Sequence, residues 1–441
     1  MNKNNNKAYR NAFILVTTLF FTWGFLTVLV DSPISRFREI FTLSYFESGL
    51  VQFAFFGAYF LLSIPAGYIL TRIGYQKGII LGLVTMAMGC FIFYPAASFR
   101  MFGIFMLGYF ILAGGMTILQ VAANPYVAAL GSEETSSSRL ILSQAFNSLG
   151  TAIAPSVGAI YFLSDKIMSS KEISLLDEKS KELYYANEAS AVQGPFIFFG
   201  SFLIAIAVTF FFIKLPSLMP EKENGSYLDA LKKKNLIYGV FGIFFYVGAE
   251  VSIGSYLVNY FLDMNLVESI QNNSIMNSIA TFFKEDIFLK LDNGDYKYSS
   301  KAVFGLFVTF YWSGAMIGRF AGSYLTKIFN AGKVLSVFAI SAVAMILISA
   351  ITNGLLSMCS ILAVGLFNSI MFPTIFTLSL NGLGDLKPKG SGLLCTGIVG
   401  GAIIPPLYGL LTDLMGFKIA LVILTLCYLY IANFGRINSK K

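Results

Sequence analysis

Gln120 and Asn124 stand in the stretch ILQVAANPYVAALG (118–131), in the second half of an apolar run that begins near Met101. Helical spacing puts Thr117, Gln120 and Asn124 on one face, at i, i+3 and i+7. Other apolar runs repeat the device. Gln144, Asn147 and Thr151 share a face, as do Gly24, Thr27 and Asp31, and again Tyr246, Glu250 and Gly254. Polar side chains are costly in lipid and turn toward the interior of a helix bundle. Four helices would then offer amides, hydroxyls and carboxylates to one interior. Several donors and acceptors in an otherwise dry site suit a polyhydroxylated solute such as a sugar. Trp23 and Trp312 are the only two tryptophans, and both fall inside apolar runs, where a ring could cover the apolar face of a pyranose. Asn368 brings a further amide in a later run. The competing reading of each amide is a bond to a neighbouring helix with no ligand involved.

Asp31 and Glu250 can do different chemistry. A carboxylate this deep in an apolar run needs a partner, water or a cation. It can carry a proton or coordinate sodium, so both residues are candidates for ion coupling, and Glu250 for substrate contact as well. The chain contains no histidine, which removes His-based catalysis, His metal sites and His proton relays. Any proton carrier within the membrane must therefore be a carboxylate. Cys90, Cys359, Cys395 and Cys427 all lie in apolar runs without metal-ligand spacing and read as buried, inert thiols. No nucleophile stands with a base, so neither an enzyme nor a metal centre is expected. Arg319 reads as a snorkelling or domain-locking residue near an inner helix end.

The elements that must position these residues are membrane helices. Of 441 residues 56% are hydrophobic and only 12% charged, against about 25% charged in soluble domains. Apolar stretches long enough to cross a bilayer recur at about 11–31, 46–70, 78–98, 101–130, 138–163, 194–215, 236–263, 301–327, 333–352, 355–381, 390–413 and 418–435. Strands of a membrane barrel would not give uninterrupted runs of this length. An all-α membrane protein with twelve transmembrane helices is expected, its first helix uncleaved. The net charge of +8 reflects basic loops rather than a nucleic-acid partner. Arg72, Lys77, Lys232, Lys233, Lys234, Lys387 and Lys389 cluster on one side, which places that side and both termini in the cytoplasm.

The polar segment PSLMPEKENGSYLDALKKKN (216–235) divides six runs from six. The halves repeat each other. GYILTRIGYQK (67–77) joins runs two and three, and GSYLTKIFNAGK (322–333) joins runs eight and nine. Gln120 precedes Pro125 by five residues, as Asn368 precedes Pro373. Gly150, Pro155 and Gly158 in run five answer Gly400, Gly401, Pro405, Pro406 and Gly409 in run eleven. A parallel duplication of six spans points to the major facilitator architecture: two pseudo-symmetric six-helix bundles, 1–215 and 236–441, joined by a cytoplasmic linker, 216–235. Pro125 and Pro373 are each expected to break or kink a helix.

At these motifs the chain resembles the fucose–galactose–glucose symporters within the major facilitator superfamily. The resemblance is carried by QVAANPYVAALG (120–131), FFTWGFLTVLVDSPISRF (20–37), FESGLVQFAFFGAYF (46–60) and SQAFNSLGTAIAP (143–155). In the second half GIFFYVGAEVSIGSYL (242–257), YWSGAMIGRFAGSYL (311–325), FNSIMFPTIFTLSL (367–380) and VGGAIIPP (399–406) are similar to the glucose/galactose branch. The resemblance implies symport of a hexose with H+ or Na+ across a bacterial inner membrane; no other cofactor is expected, and the fold works as a monomer. It makes Asp31 the match of the protonatable aspartate of fucose members, and Gln144 the match of a polar sugar contact. Gln120 stands where fucose members have a second carboxylate, Glu250 where they have a neutral amide, and Val30 where Asn is frequent. A proton-coupled exporter of drugs or other solutes is the competing reading, and the amide faces of runs four and five argue against its more apolar cavity.

Overall fold

The computed structural model of the chain describes residues 3–31, 45–99, 101–162, 175–218, 225–290 and 297–440. In the first half lie α1 (Lys3–Asp31), α2 (Tyr45–Phe99), α3 (Phe102–Ala129), α4 (Ser136–Phe162) and α5 (Glu178–Phe212). A short α6 (Tyr227–Leu231) sits in the linker. The second half holds α7 (Lys234–Asp263), α8 (Val267–Asn272), α9 (Ser274–Phe283), α10 (Ser300–Ile328), α11 (Ala331–Ile351), α12 (Gly354–Asn368), α13 (Met371–Leu380), α14 (Lys387–Thr396), α15 (Gly400–Met415) and α16 (Phe417–Asn438).

Twelve passages follow from these helices among the described residues. α2 makes two, turning at Gly74, whose φ of 84° and ψ of 167° interrupt the helix. A side chain would be strained at that φ, and the basic turn GYILTRIGYQK uses a glycine there. α12 with α13, and α14 with α15, each make one interrupted passage. The apolar stretches read from sequence coincide with these passages. Helix is not confined to them, however. α5 begins at Glu178, well before the apolar run at 194, and α8 and α9 occupy the segment between the runs 236–263 and 301–327. Hydropathy locates what can sit in lipid, whereas Glu-, Lys- and Ala-rich sequence such as EKSKELYYANEA forms helix in water equally well.

The two prolines act differently from each other. α3 runs through Pro125 to Ala129. The equivalent passage breaks between Asn368 and Met371, and Pro373 falls in the first turn of α13, where its missing N–H leaves no helical bond unmade. The break costs the second half one continuous helix, where the first half keeps its own.

The first six passages pack on one another, and so do the last six. Matching glycines make matching crossings. A Cβ on Gly150 of α4 would collide with the Phe21 carbonyl oxygen of α1, and one on Gly400 of α15 with the Phe244 carbonyl oxygen of α7. α4 therefore lies against α1 as α15 lies against α7. The halves meet through α4 with α10 and through α2 with α14, two contacts that exchange under the same pseudo-symmetry. These contacts lie toward the end that carries the basic loops. Ser137 and Thr377 share a hydrogen bond of 2.6 Å, Ser138 donates to the Ser323 carbonyl at 2.7 Å, and Ser391 donates to the Val121 carbonyl at 2.8 Å. Lys387 pairs with Glu133 at 2.8 Å at the rim. An exposed pair of this kind contributes at most about 1 kcal/mol, so small hydroxyls and close backbone packing do most of the closing.

Candidate functional site

In the first half Gln120 is half-buried, and its amide donates to the hydroxyl of Tyr59 on α2 at 2.6 Å. Tyr59 is 2% exposed, with its ring 5.4 Å from that of Phe55. One turn further along α3, Asn124 is fully buried and neither of its amide atoms has a hydrogen-bond partner. The expectation that Asn124 faces an accessible cavity beside Gln120 does not hold in this conformation. The reason is its place toward the closed end, where α14 crosses α3 and Ser391 binds the Val121 carbonyl. Thr117 turns back to the Ala113 carbonyl of its own helix at 2.9 Å.

Asn147 donates to the Phe20 carbonyl of α1 at 3.0 Å, and its amide packs against Gly24, where a Cβ would come within 2.7 Å of Nδ2. This is the helix-bonding alternative realised. Trp23 is buried, 7% exposed, with its ring edge-on to Phe20 at 5.5 Å, so it is part of the packing between α1 and its neighbours rather than an open platform. Gln144 is also buried. Its carbonyl accepts from the Ser148 hydroxyl at 3.2 Å. α1 ends at Asp31, whose side chain lies outside the described residues.

In the second half Glu250 of α7 is half-buried and accepts a hydrogen bond of 2.7 Å from Tyr246, one turn below. Asn368 is fully buried at the end of α12 and donates to the Tyr311 hydroxyl of α10 at 2.7 Å, while its Oδ1 has no partner. Tyr246, Tyr311 and Tyr428 are fully buried; Tyr246 bonds Glu250 and Tyr311 bonds Asn368. Trp312 is 48% exposed. It stands two turns from Arg319 on the same face of α10, and its ring packs over Gly254, one turn above Glu250. Of the two tryptophans, Trp312 is the one with an accessible ring.

Arg319 joins the two halves. It donates through Nε to the Ser369 carbonyl of the second half at 3.2 Å, and through Nη1 to the Ser148 hydroxyl on α4. Its guanidinium also lies within electrostatic range of Glu250 and Tyr246. The domain-locking alternative describes this contact, and its reach to the Gln144–Ser148 turn was not legible. Nothing in a linear pattern says that residue 319 meets residue 148. The tyrosine partners were also missed, except Tyr246, which shares a face with Glu250. With 23 tyrosines in the chain, their type alone carries no signal. Cys359 is exposed, against the expectation that it is buried.

The site thus has a first-half donor set around Gln120 and Tyr59, a second-half set around Glu250, Tyr246, Asn368 and Trp312, and one arginine spanning the seam. Groups of these types can hydrogen-bond a polar solute and hold one charge. Among the described residues no group of three or more Asp, Glu, Cys or His could hold a metal ion.

A family model described as Major Facilitator Superfamily matches residues 12–396. The glucose/galactose transporter of Brucella abortus (biovar 1, strain 9-941) is 41% identical over 99% of this chain and 96% of its own length. The L-fucose-proton symporter of Escherichia coli (strain K12) is 32% identical over 99% of this chain and 94% of its own. A crystal structure of the Major Facilitator Superfamily transporter FucP, in the outward conformation, superposes with a TM-score of 0.85 at 31% identity, over 98% of this chain and all of the other. The chain is a multi-pass membrane transporter, not an enzyme, and belongs to the Major Facilitator Superfamily, in the family of the glucose/galactose transporters and the L-fucose-proton symporters.

Proposed function

We propose that this chain carries a hexose into the cell together with a cation, by alternating access between two six-helix halves. Glucose or galactose is the leading substrate and fucose the next. The observation that carries the reading is the pairing of Gln120 in one half with Glu250 in the other, each half-buried and each tied to a tyrosine. A neutral amide in one half and a carboxylate in the other suit sugar hydroxyls and one coupling charge. The names of relatives that are similar over nearly their full length support the same reading.

In this reading the halves are 1–215 and 236–441, with 216–235 as a cytoplasmic linker. The membrane is a bacterial inner membrane, both termini are cytoplasmic, and the protein works as a monomer. With the basic end inside, the conformation described above is closed inward. Gln120, Gln144, Trp312 and Glu250 contact the sugar. Asn147, Trp23 and Asn368 support that surface, and Asn124 becomes available only when the basic end opens. Asp31 and Glu250 carry the coupling cation, H+ or Na+, and no other cofactor takes part. A sugar and a cation that both favour the occluded state each strengthen the binding of the other.

Uptake of radiolabelled glucose and galactose into proteoliposomes tests this, with a sodium gradient and a pH gradient imposed separately and fucose as competitor. Accumulation under one gradient alone identifies the cation. Accumulation under neither would remove the symport reading. Asp31→Asn is expected to abolish accumulation while sparing sugar exchange; loss of both would argue against an ion-only role for Asp31.

A further inference from the structure

The linker is built into the seam between the halves. There α14 of the second half crosses α2 of the first, through Gly392 and Gly67. A Cβ on Gly392 would lie 2.6 Å from the Ser63 carbonyl oxygen and 3.3 Å from the Gly67 Cα, so the two backbones touch. The hydroxyl of Tyr227, the first residue of α6, fills the notch beside this crossing. It would stand 2.6 Å from a Cβ on Gly67 and 3.3 Å from one on Gly392, and it donates to the Ile64 carbonyl of α2 at 2.6 Å.

Two residues earlier the linker grips the other helix. The Gly225 carbonyl accepts from Lys389 Nζ of α14 at 2.6 Å, and the Leu386 side chain packs against the Gly225 backbone. Lys389 is 4% exposed, an uncommon burial for a lysine, so its ammonium depends on partners such as this carbonyl. Between the two grips, Ser226 and Asp229 form a capping box that fixes the start of α6. Bonds from the Ser226 backbone, Lys232 and the Ser226 hydroxyl lower the Asp229 carboxyl from its ordinary 3.8 to about 2. The sign follows: this contribution is complete above pH 3.8 and is lost only as pH falls toward 2. The cap is intact at any pH where the protein works.

A connection that only tethered two halves would need none of this. We propose that α6 is a bolt across the closed basic end. Tyr227 is a positioning residue that holds α2, the Gly225–Lys389 bond holds α14, and both must be released before that end opens. This rests on the alternating-access reading given above, although the test uses no sugar.

The test uses the full chain in detergent, with its four cysteines replaced and Ala129→Cys as reporter. Ala129 lines a space of about 100 Å³ between the halves at the closed end, and its reaction rate with a bulky maleimide reports opening. Tyr227→Phe removes the hydroxyl and keeps the ring; Lys389→Met removes the ammonium and keeps the stem. Each is expected to raise the reporter rate about fivefold, the shift that loss of one net hydrogen bond gives a two-state equilibrium, with the melting temperature unchanged in Tyr227→Phe. Parent reporter rates in both variants would overturn the proposal. So would a lowered melting temperature without faster labelling, because α6 would then be ordinary packing. Faster labelling in a protein that moves no hexose would uphold the bolt and sink the sugar reading alone.

Discussion

Gln120→Ala is expected to raise the half-saturation concentration for sugar by about 10- to 100-fold, the range set by leaving buried polar partners unpaired at about 1–3 kcal/mol. Two losses combine. The amide no longer meets the sugar, and the Tyr59 hydroxyl, 2% exposed, loses the donor that now reaches it at 2.6 Å. The maximal rate should change less than the half-saturation concentration, because the amide binds and carries no charge. Intrinsic fluorescence gives a direct reading of binding, since Trp312 and Trp23 are the only tryptophans. Trp312 is the exposed one of the two, so Trp23→Phe isolates the useful signal. Gln120→Glu is a sharper companion. It keeps an acceptor for the sugar and puts a titratable carboxylate at this position, so its sugar binding should gain a pH dependence beyond any the parent shows. Unchanged affinity in Gln120→Ala would mean that Gln120 serves only to hold Tyr59.

Glu250→Gln should cut gradient-driven accumulation by tenfold or more while sugar exchange without a gradient survives. Glutamine keeps the size of the side chain and can still accept from Tyr246, which now bonds the carboxylate at 2.7 Å. Only the charge goes. That charge lies within electrostatic range of Arg319, and Arg319 reaches across to Ser148 of the other half while bonding the Ser369 carbonyl of its own. Neutralising Glu250 therefore acts on the coupling cation and on the one arginine described here that spans the seam. Accumulation equal to the parent's would take Glu250 out of coupling and leave the role to Asp31. Loss of exchange together with accumulation would instead make Glu250 a sugar contact or a structural partner of Arg319.

How far each part was legible depends on the range of the interaction that decides it. Membrane passages are local. A run such as 101–130 needs no partner to prefer lipid, and α3 occupies it almost to the residue. The repeat was legible for the same reason: Gly150 and Gly400 recur in register, and each turns out to mark where a helix touches a carbonyl of its neighbour. Periodicity also brought Tyr246, Glu250 and Gly254 to one face, because a helix fixes that relation by itself.

Long-range pairing decided the rest. Gln120 and Asn124 share a face and a residue class, yet one meets Tyr59 at a half-buried wall and the other is sealed beneath α14. Trp23 and Trp312 look alike in sequence; one is packed at 7% exposure and the other stands open at 48%. Pro125 and Pro373 have the same spacing from a polar residue, but only the second passage is interrupted. Arg319 meets Ser148 across 171 positions, and Tyr227 meets Ile64 across 163. The sequence by itself determined that this is a twelve-passage helical protein of two related halves, with amides and carboxylates turned inward. Only the tertiary structure decided which of them reach open space, which are sealed, and what bridges the halves. Hydropathy and helical period are properties of one segment, whereas burial and partner choice belong to two segments brought together by the fold.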